Sequence, residues 1–143
     1  MMTETQLPDV NVLFALLQPN HVAHAVAWEW LGSVKSFATT PITETGLLRL
    51  ALNPTVMGCE MTSLDAIRSL RSLRNDARAV FVPDDASLAD ATTGLDGLRG
   101  HRQVTDLHLV NLAARHRMVL VTLDRALKRS LPRSAHNLVT LLA

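Results

Sequence analysis

Short apolar runs alternate along the chain with longer stretches in which apolar residues recur every three or four positions. The short runs, bounded by Pro, Gly, Asn or Ser, predict strands near residues 7–12, 36–40, 79–82, 118–122 and 137–142. The longer stretches predict helices over residues 12–17, 21–31, 41–52, 62–75, 87–93, 105–116 and 125–129. Asn20, Thr40 and Thr105 stand where helix N-cap residues are expected.

This alternation indicates an α/β protein with a central, mostly parallel sheet of four or five strands wrapped by helices. Right-handed crossovers are expected to connect the strands. The run 118–122 is apolar throughout, as expected for a strand covered on both faces. The apolar pattern resumes directly after the Gly-rich segment 94–100, and no internal repeat is visible. We therefore predict a single domain over residues 1–143.

The composition is that of a globular protein, with 48% hydrophobic residues, 19% charged residues and a net charge of +1. The near-neutral charge excludes binding of nucleic acid through bulk charge alone. Residues 98–143 nevertheless hold eight basic side chains against two aspartates, which suits either a polyanion-binding surface or an ordinary solvated face. The lone Cys59 excludes a disulfide framework and a Cys-rich zinc module.

The chain also lacks the sequence features of secretion and membrane insertion. No apolar run is long enough for a membrane span. The polar segment 1–6 has neither the basic nor the apolar region of a secretory leader. These observations predict a cytoplasmic protein.

Four acidic residues lie at corresponding places, each beside the end of a predicted strand or the start of the following helix: Asp9, Glu44, Asp106 and Asp124. The carboxyl ends of parallel strands share one edge of a sheet, so these carboxylates are expected to converge. Carboxylates at close range raise one another's pKa, and a divalent cation removes that conflict. An all-oxygen site favours Mg²⁺ or Mn²⁺, which can polarise a phosphate oxygen and activate a water. Asn11 and Thr122 lie beside these acids and are candidates to orient a ligand.

Each acid taken alone has a simpler explanation. Asp9 and Asp124 suit turns, and Asp106 suits the first turn of a helix. The set of four at matching places favours a metal site that cleaves a phosphodiester. A receiver-like phosphoacceptor domain, which also gathers acids at strand ends, is an alternative. It has paired acids after the first strand and a Lys after a late strand, whereas this chain has one acid there and Lys128 on a predicted helix.

The order and spacing of the acids resemble the motifs of PIN-domain ribonucleases over nearly the whole chain. The segments that carry the resemblance are 7–13 (LPDVNVL), 40–46 (TPITETG), 104–107 (VTDL) and 122–125 (TLDR). Within that superfamily the chain is most similar to VapC toxins of type II toxin–antitoxin pairs. The resemblance implies a PIN-like three-layer fold and a Mg²⁺- or Mn²⁺-dependent endoribonuclease that cuts structured RNA. It also implies a homodimer that a VapB-like antitoxin silences.

By position, the resemblance makes the four acids the catalytic and metal-binding quartet, with Asn11 and Thr122 as supporting polar residues.

Two positions depart from the family pattern. Pro8 removes a backbone donor from a strand expected to be central, which predicts a short first strand. Val110 stands where some relatives carry a further acid, so a second metal ion is expected to bind weakly or only with RNA. A non-catalytic PIN-like scaffold is a further alternative, although such scaffolds have usually lost acids and none is missing here.

Basic and aromatic residues outside the quartet are candidates for binding partners. The arginines that suit RNA phosphates, and equally a solvated face, are Arg68, Arg71, Arg74 and Arg125. Trp28 and Trp30 occupy different sides of their predicted helix, so one is expected in the core and the other in a groove for a partner. His21 and His24 have helical spacing for zinc but lack a third ligand nearby.

Overall fold

The computed structural model describes residues 5–95 and 100–143, which form a five-stranded sheet and its surrounding helices. The strands are β1 (Thr5–Pro8), β2 (Ser36–Thr39), β3 (Ala79–Phe81), β4 (Val119–Thr122) and β5 (Val139–Leu141). The helices are α1 (Val10–Leu17), α2 (His24–Ser33), α3 (Pro41–Ala51), α4 (Pro54–Met57), α5 (Ser63–Arg74), α6 (Val104–Arg115) and α7 (Arg125–Ser130). In the described part of the chain, 3₁₀ segments span Leu88–Asp90, His101–Gln103 and Arg133–Leu138. The predicted α/β class is confirmed, and no helix in the described ranges is long and apolar enough to cross a membrane.

The strands lie in the order β3-β2-β1-β4-β5, and every neighbouring pair is parallel. The chain moves outward from β1 to β2 and β3 and then returns to the other side of β1 as β4. This reversal creates a topological switch point between β1 and β4, where α/β sheets form a crevice at the carboxyl ends of the strands. Receiver domains have the order 2-1-3-4-5. The sheet order therefore excludes the receiver-like alternative.

Pro8 is the last residue of β1, in the middle of the sheet, and the register explains how the strand accommodates it. Pro8 pairs with Val121 of β4, and the next residue, Asp9, donates its N–H to the Val121 carbonyl at 2.8 Å. Because alternate residues of a strand direct their N–H groups to opposite neighbours, the missing donor of Pro8 falls on the β2 side. The pairing with β2 has already ended there at Gln6 and Phe37. β1 is accordingly short, at four residues.

Two apolar clusters fill the two faces of the sheet. Phe37 and Val121 belong to the cluster that packs against α1, α2, α3 and α5. Ala38 and Leu120, their neighbours on the same strands, belong to the cluster that packs against α6 and α7. Because successive strand residues face opposite sides, these two clusters make the arrangement three-layered. The three-layer arrangement predicted from the sequence is therefore present.

The starts of α1 and α2 differ from the sequence predictions. α1 begins at Val10 rather than at residue 12, because Asp9 ends the strand and caps the helix immediately. α2 begins at His24 rather than His21, and its N-cap is Ala23 instead of Asn20. His21 Nδ1 accepts the Ala23 N–H at 3.0 Å, and this local bond holds the backbone in a turn that competes with the helix.

Capping also differs at α3 and α6. Thr40 is the N-cap of α3 as predicted, but the side chain that bonds there belongs to Thr43, whose Oγ1 accepts the Thr40 N–H at 3.1 Å. α6 begins at Val104 with Gln103 as its N-cap, so the prediction of Thr105 as the cap is wrong. A 3₁₀ turn leads directly into this helix and starts it one residue earlier.

The helix predicted over residues 87–93 is reduced to the single 3₁₀ turn Leu88–Asp90. The buried side chain of Asn111 on α6 accepts the N–H groups of Thr92 and Thr93 at 3.2 and 3.3 Å, which satisfies backbone donors without a helix. The last strand is shorter than predicted because Arg133–Leu138 forms a 3₁₀ segment before it. Residues 96–99 of the Gly-rich segment lie outside the described residues.

Gly46 marks a close contact between α3 and α1, and we predict that Gly46→Ala destabilises the fold. A Cβ at Gly46 would come within 2.6 Å of Val10 Cγ2. The cost of overpacking, about 1–3 kcal/mol, should exceed the gain of about 1 kcal/mol in helix propensity. Gly32→Ala in α2 is the matched control, because a Cβ at Gly32 meets nothing within 4 Å. Urea unfolding should show a loss of stability for the first variant and a gain for the second; a gain for both would contradict the close contact.

Candidate active site

Three of the predicted acids surround the switch point at the carboxyl edge of the sheet. Asp9 directly follows β1, Asp124 follows β4 by two residues, and Asp106 lies in the first turn of α6. Asp9 is only 6% exposed, and the other two are partly buried. Asp9 Oδ1 accepts the Val10 N–H at 2.7 Å, and Asp124 Oδ1 accepts the Ala126 N–H at 2.9 Å. Both residues therefore cap helices, yet each carboxylate retains lone pairs for a further ligand.

The hydroxyl of Thr122 is the centre of the hydrogen-bond network at this edge. Thr122 Oγ1 donates to Asp9 Oδ2 at 2.9 Å. The same oxygen accepts the Asn11 amide at 3.2 Å and the Asp124 N–H at 3.1 Å. One donor and two acceptor positions are all that a hydroxyl offers, so Thr122 is fully used. Its bonds fix the end of β4 to the start of α1.

Asn11 holds the same two segments together from the other side. Its Nδ2 donates to Thr122 Oγ1, and its Oδ1 accepts the Leu123 N–H at 3.2 Å. The amide thereby spans from α1 to the turn between β4 and α7. Asn11 and Thr122 are thus both bonded to the segments that present Asp9 and Asp124. Their role as supporting residues of the acids stays a prediction.

The electrostatics of the aspartates are unfavourable in the protein alone. Burial, followed by the charges of Asp9 and Asp124, raises the pKa of Asp106 to about 6. Burial also raises the pKa of Asp9, despite the opposing effect of its bonds from Thr122 and Val10, and the Asp124 charge adds to the increase. The three aspartates therefore interact through charge.

Glu44 occupies a separate environment on the β2 side. Its Oε2 accepts the hydroxyl of Thr39, the last residue of β2, at 2.7 Å. Arg74 Nε lies 3.7 Å from the same oxygen. Glu44 does not contribute to the raised pKa of Asp9 or Asp106. The charge of Glu44 is thus partly balanced by an arginine, whereas the aspartates have no such partner among the described residues.

The donor set suits a hard divalent cation, because it consists of carboxylate oxygens without Cys or His. Within residues 5–95 and 100–143, however, no three His, Cys, Asp or Glu side chains form a group ready to hold a metal ion. The repulsion that raises the Asp106 pKa also opposes close approach of these carboxylates. Their approach and the binding of a cation would therefore be coupled.

The remaining predicted binding residues are placed in different settings. Arg125 is exposed at the start of α7, next to Asp124. Arg68 pairs loosely with Asp65 at 3.9 Å on the exposed face of α5, and Arg71 is exposed on the same helix. Arg74 alone of the α5 arginines contacts a predicted site residue.

The histidines considered for zinc have structural roles. His21 Nδ1 bonds the Ala23 N–H, and His24 Nδ1 lies 2.7 Å from the Ala15 carbonyl. Sequence reasoning named neither Thr39 nor Phe81, although both end strands at the same edge of the sheet. Phe81 lies under the Arg74 guanidinium, with 4.6 Å from Cζ to the ring centroid. The signal that could have found both is their position as the last residues of β2 and β3.

We predict that Thr122→Val lowers the free energy of unfolding by about 2–3 kcal/mol and raises the Asp9 pKa further. Valine matches the shape but leaves Asp9 Oδ2 and the Asp124 N–H without their partner. Thr122→Ser keeps the hydroxyl and should cost only about 1 kcal/mol, for one buried methyl group. Urea unfolding and NMR titration of Asp9 measure the two effects. An unchanged Asp9 pKa in the valine variant would contradict the network.

The raised pKa of Asp106 predicts how stability depends on pH without added metal. The Asp106 carboxyl has a pKa of about 6 in the folded chain, against 3.8 ordinarily. At a pH between these two values, the carboxyl therefore takes up a proton when the chain folds. Stability is therefore lost as pH rises from about 4 to about 6. Asp106→Asn cannot ionise and should melt roughly 3–6 °C higher at pH 7, after a discount for partial exposure. Near pH 4 the two proteins should melt alike; a variant less stable at pH 7 would contradict the electrostatics.

Comparison of the sequence with known proteins identifies the family of this chain. The family model for the PIN domain matches residues 7–130. The chain is 46% identical over 129 residues to Ribonuclease VapC39 of Mycobacterium tuberculosis, covering 88% of this chain and 93% of that protein. It is 39% identical over 141 residues to Ribonuclease VapC38 of the same organism, covering 95% and 99% of the two chains. The family model and both relatives match most of the sequence. The chain therefore belongs to the PIN domain family.

Proposed function

We propose that this chain is a divalent-metal-dependent endoribonuclease, a VapC-type toxin that cuts structured cellular RNA and is silenced by a cognate VapB-like antitoxin. The observation that supports the proposal most directly is the gathering of Asp9, Asp106 and Asp124 at the switch point, where their charges oppose one another. Proteins 46% and 39% identical to the chain are named ribonucleases. Such strain between like charges is typical of functional sites.

The aspartates would hold Mg²⁺ or Mn²⁺, and Glu44 would join them from the β2 side. When bound, the cation would polarise a phosphate oxygen and lower the pKa of an attacking water. Asp9 is presented in one orientation, because Val10 and Thr122 each bond one of its oxygens. Asn11 and Thr122 would keep this orientation during the reaction, acting as positioning residues. Arg125, exposed beside Asp124, suits a phosphate of the RNA strand.

The antitoxin would occupy the apolar groove between α1, α2 and α5. The groove has a volume of about 400 Å³ and is lined in part by Leu17, Trp28, Leu31 and Leu73. Trp28 is 52% exposed, and its Nε1 donates to the Leu16 carbonyl at 3.1 Å, which fixes the indole in the groove wall. Trp30 is buried in the core, whereas Trp28 lines the groove. The same surface suits the contact of a homodimer.

We predict that Asp9→Asn keeps the fold and lowers RNA cleavage roughly 100-fold or more. Asparagine still caps α1 and accepts the Thr122 hydroxyl, but it removes the negative charge that a cation requires. The measurement is cleavage of total RNA with Mg²⁺ or Mn²⁺, with EDTA as the metal-free control. Cleavage by the variant at the wild-type rate, or wild-type cleavage unaffected by EDTA, would contradict the proposal.

Expression in a bacterial host tests the toxin part of the proposal separately. Growth arrest by the wild-type chain, absent for an Asp9→Asn/Asp124→Asn variant, is expected if toxicity depends on cleavage. Equal growth of both strains would exclude the toxin function, and a housekeeping nuclease or a non-catalytic scaffold would remain as the possible functions. Arrest by both would indicate toxicity without catalysis.

A further inference from the structure

We propose that Arg74 binds a phosphate of the RNA strand and exchanges between that phosphate and Glu44. The inference rests on the proposed nuclease function and adds the residue that engages RNA on the β2–β3 side of the site. It also links RNA binding to the availability of Glu44 for the cation.

Arg74 is held in place by two contacts from different elements. Its Cζ lies 4.6 Å from the ring centroid of Phe81, the last residue of edge strand β3. Its Nε lies 3.7 Å from Oε2 of Glu44 on α3. The guanidinium thus lies between an aromatic ring and a carboxylate at the sheet edge. The planar group of Arg is pre-organised, so it loses less entropy for each hydrogen bond that it forms with a further group.

The hydrogen-bonding capacity of Arg74 is almost entirely unused. A guanidinium has five N–H donors, and the Glu44 contact, at 3.7 Å, is too long for a hydrogen bond. Neither Nη group has a polar partner in the described part of the chain. Arg74 is 48% exposed while Glu44 is only 14% exposed, so the guanidinium lies on the solvent side of the pair. A guanidinium whose two Nη groups are exposed and unpaired suits bidentate binding of a phosphate.

The neighbouring arginines lack this combination. Arg78 is used within the fold, since it donates to the carbonyls of Leu31 and Val34 and pairs with Asp76. Arg68 pairs with Asp65 where both side chains are well exposed. Among the described residues, Arg74 is the arginine that contacts both an aromatic ring and a carboxylate of the candidate site.

The position of Arg74 also affects Glu44. A positive charge beside Glu44 opposes the binding of a cation by the same carboxylate. When an RNA phosphate attracts Arg74, Glu44 loses that competing charge and keeps the bond from Thr39 that orients it. RNA binding would therefore strengthen binding of the cation, and by reciprocity the cation would strengthen binding of RNA. Arg74 is in this sense a positioning residue that links two ligands.

The first test measures RNA affinity in an Asp9→Asn background, with a single-stranded RNA oligonucleotide in EDTA over a range of salt concentrations. Arg74→Gln should weaken binding and lower the slope of log affinity against log salt by about 0.7, the effect of one lost phosphate contact on a single strand. Arg49→Gln is the matched control, because it removes the same charge from an exposed position on α3, the helix that carries Glu44. A slope change no larger for Arg74→Gln than for Arg49→Gln would overturn the proposal.

Two further variants separate charge from geometry. Arg74→Lys keeps the positive charge but loses the paired N–H donors of the guanidinium. RNA affinity should therefore fall, while the slope of log affinity against log salt should be retained. Phe81→Leu removes the ring beneath the guanidinium and should weaken binding several-fold with the slope unchanged. Wild-type affinity in both variants would show that the ordered guanidinium is not what binds RNA. Thermal melts of each variant verify that the fold is intact.

The second test addresses the exchange, with Mg²⁺ alone as the probe and melting temperature as the readout. In the RNA-free protein, Arg74→Gln should bind Mg²⁺ several-fold more tightly than wild type, whereas Arg49→Gln should not. Unchanged Mg²⁺ affinity would overturn the exchange with Glu44. If wild type cleaves RNA while the salt slope is independent of Arg74, the nuclease function stands and this inference fails. If wild type neither binds nor cleaves RNA, the proposed function fails first.

Discussion

The bond from the Thr122 hydroxyl to the Asp9 carboxylate connects the two strands between which the candidate site lies. Asp9 follows the first strand and Thr122 ends the fourth, so this buried contact joins side chains that are 113 residues apart in sequence. The same oxygen accepts the Asn11 amide and the Asp124 N–H. Buried networks in which every donor and acceptor is satisfied are rigid. This hydroxyl, together with the Asn11 amide, therefore holds the segments that carry Asp9 and Asp124 in a fixed relation.

This rigidity maintains an arrangement that is electrostatically unfavourable. Burial raises the pKa values of Asp9 and Asp106, and the neighbouring aspartates increase both. Among the described residues no Lys or Arg pairs with these carboxylates, so the apolar clusters on the two faces of the sheet must compensate for the repulsion. Functional sites commonly retain groups that lower the stability of the free protein in this way. A ligand of opposite charge can then bind tightly, because it relieves the repulsion. A cation bound at the switch point would turn the electrostatic contribution of these aspartates to folding from unfavourable to favourable.

Local patterns in the sequence predicted the strands, most helices and the places of the acids, because strand ends and helix starts depend on neighbouring residues. The Thr40–Pro41 start of α3 and the Asp124 start of α7 are examples. The lost helix at 87–93 was not predictable in this way, since the distant Asn111 side chain bonds its backbone. The turn at 21–23 has a local cause, but a histidine ring that accepts a backbone N–H is not among the usual turn signals. The contacts of Arg74 with Glu44 and Phe81 likewise require three elements to meet. The catalytic roles of the quartet and the single-domain assignment stay predictions.

The charges at the carboxyl edge are arranged asymmetrically, and the asymmetry matches the two ligands of the proposed reaction. On the β1–β4 side the aspartates are buried or partly buried and uncompensated, an environment that attracts a cation. On the β2–β3 side the carboxylate of Glu44 is accompanied by an exposed guanidinium, an environment that attracts an anion. A phosphodiester bound across the edge would meet both, with its reacting oxygen toward the aspartates and a neighbouring phosphate toward Arg74. The near-neutral charge of the whole chain thus conceals a local separation of charge, and that separation, rather than bulk basicity, would orient the RNA strand.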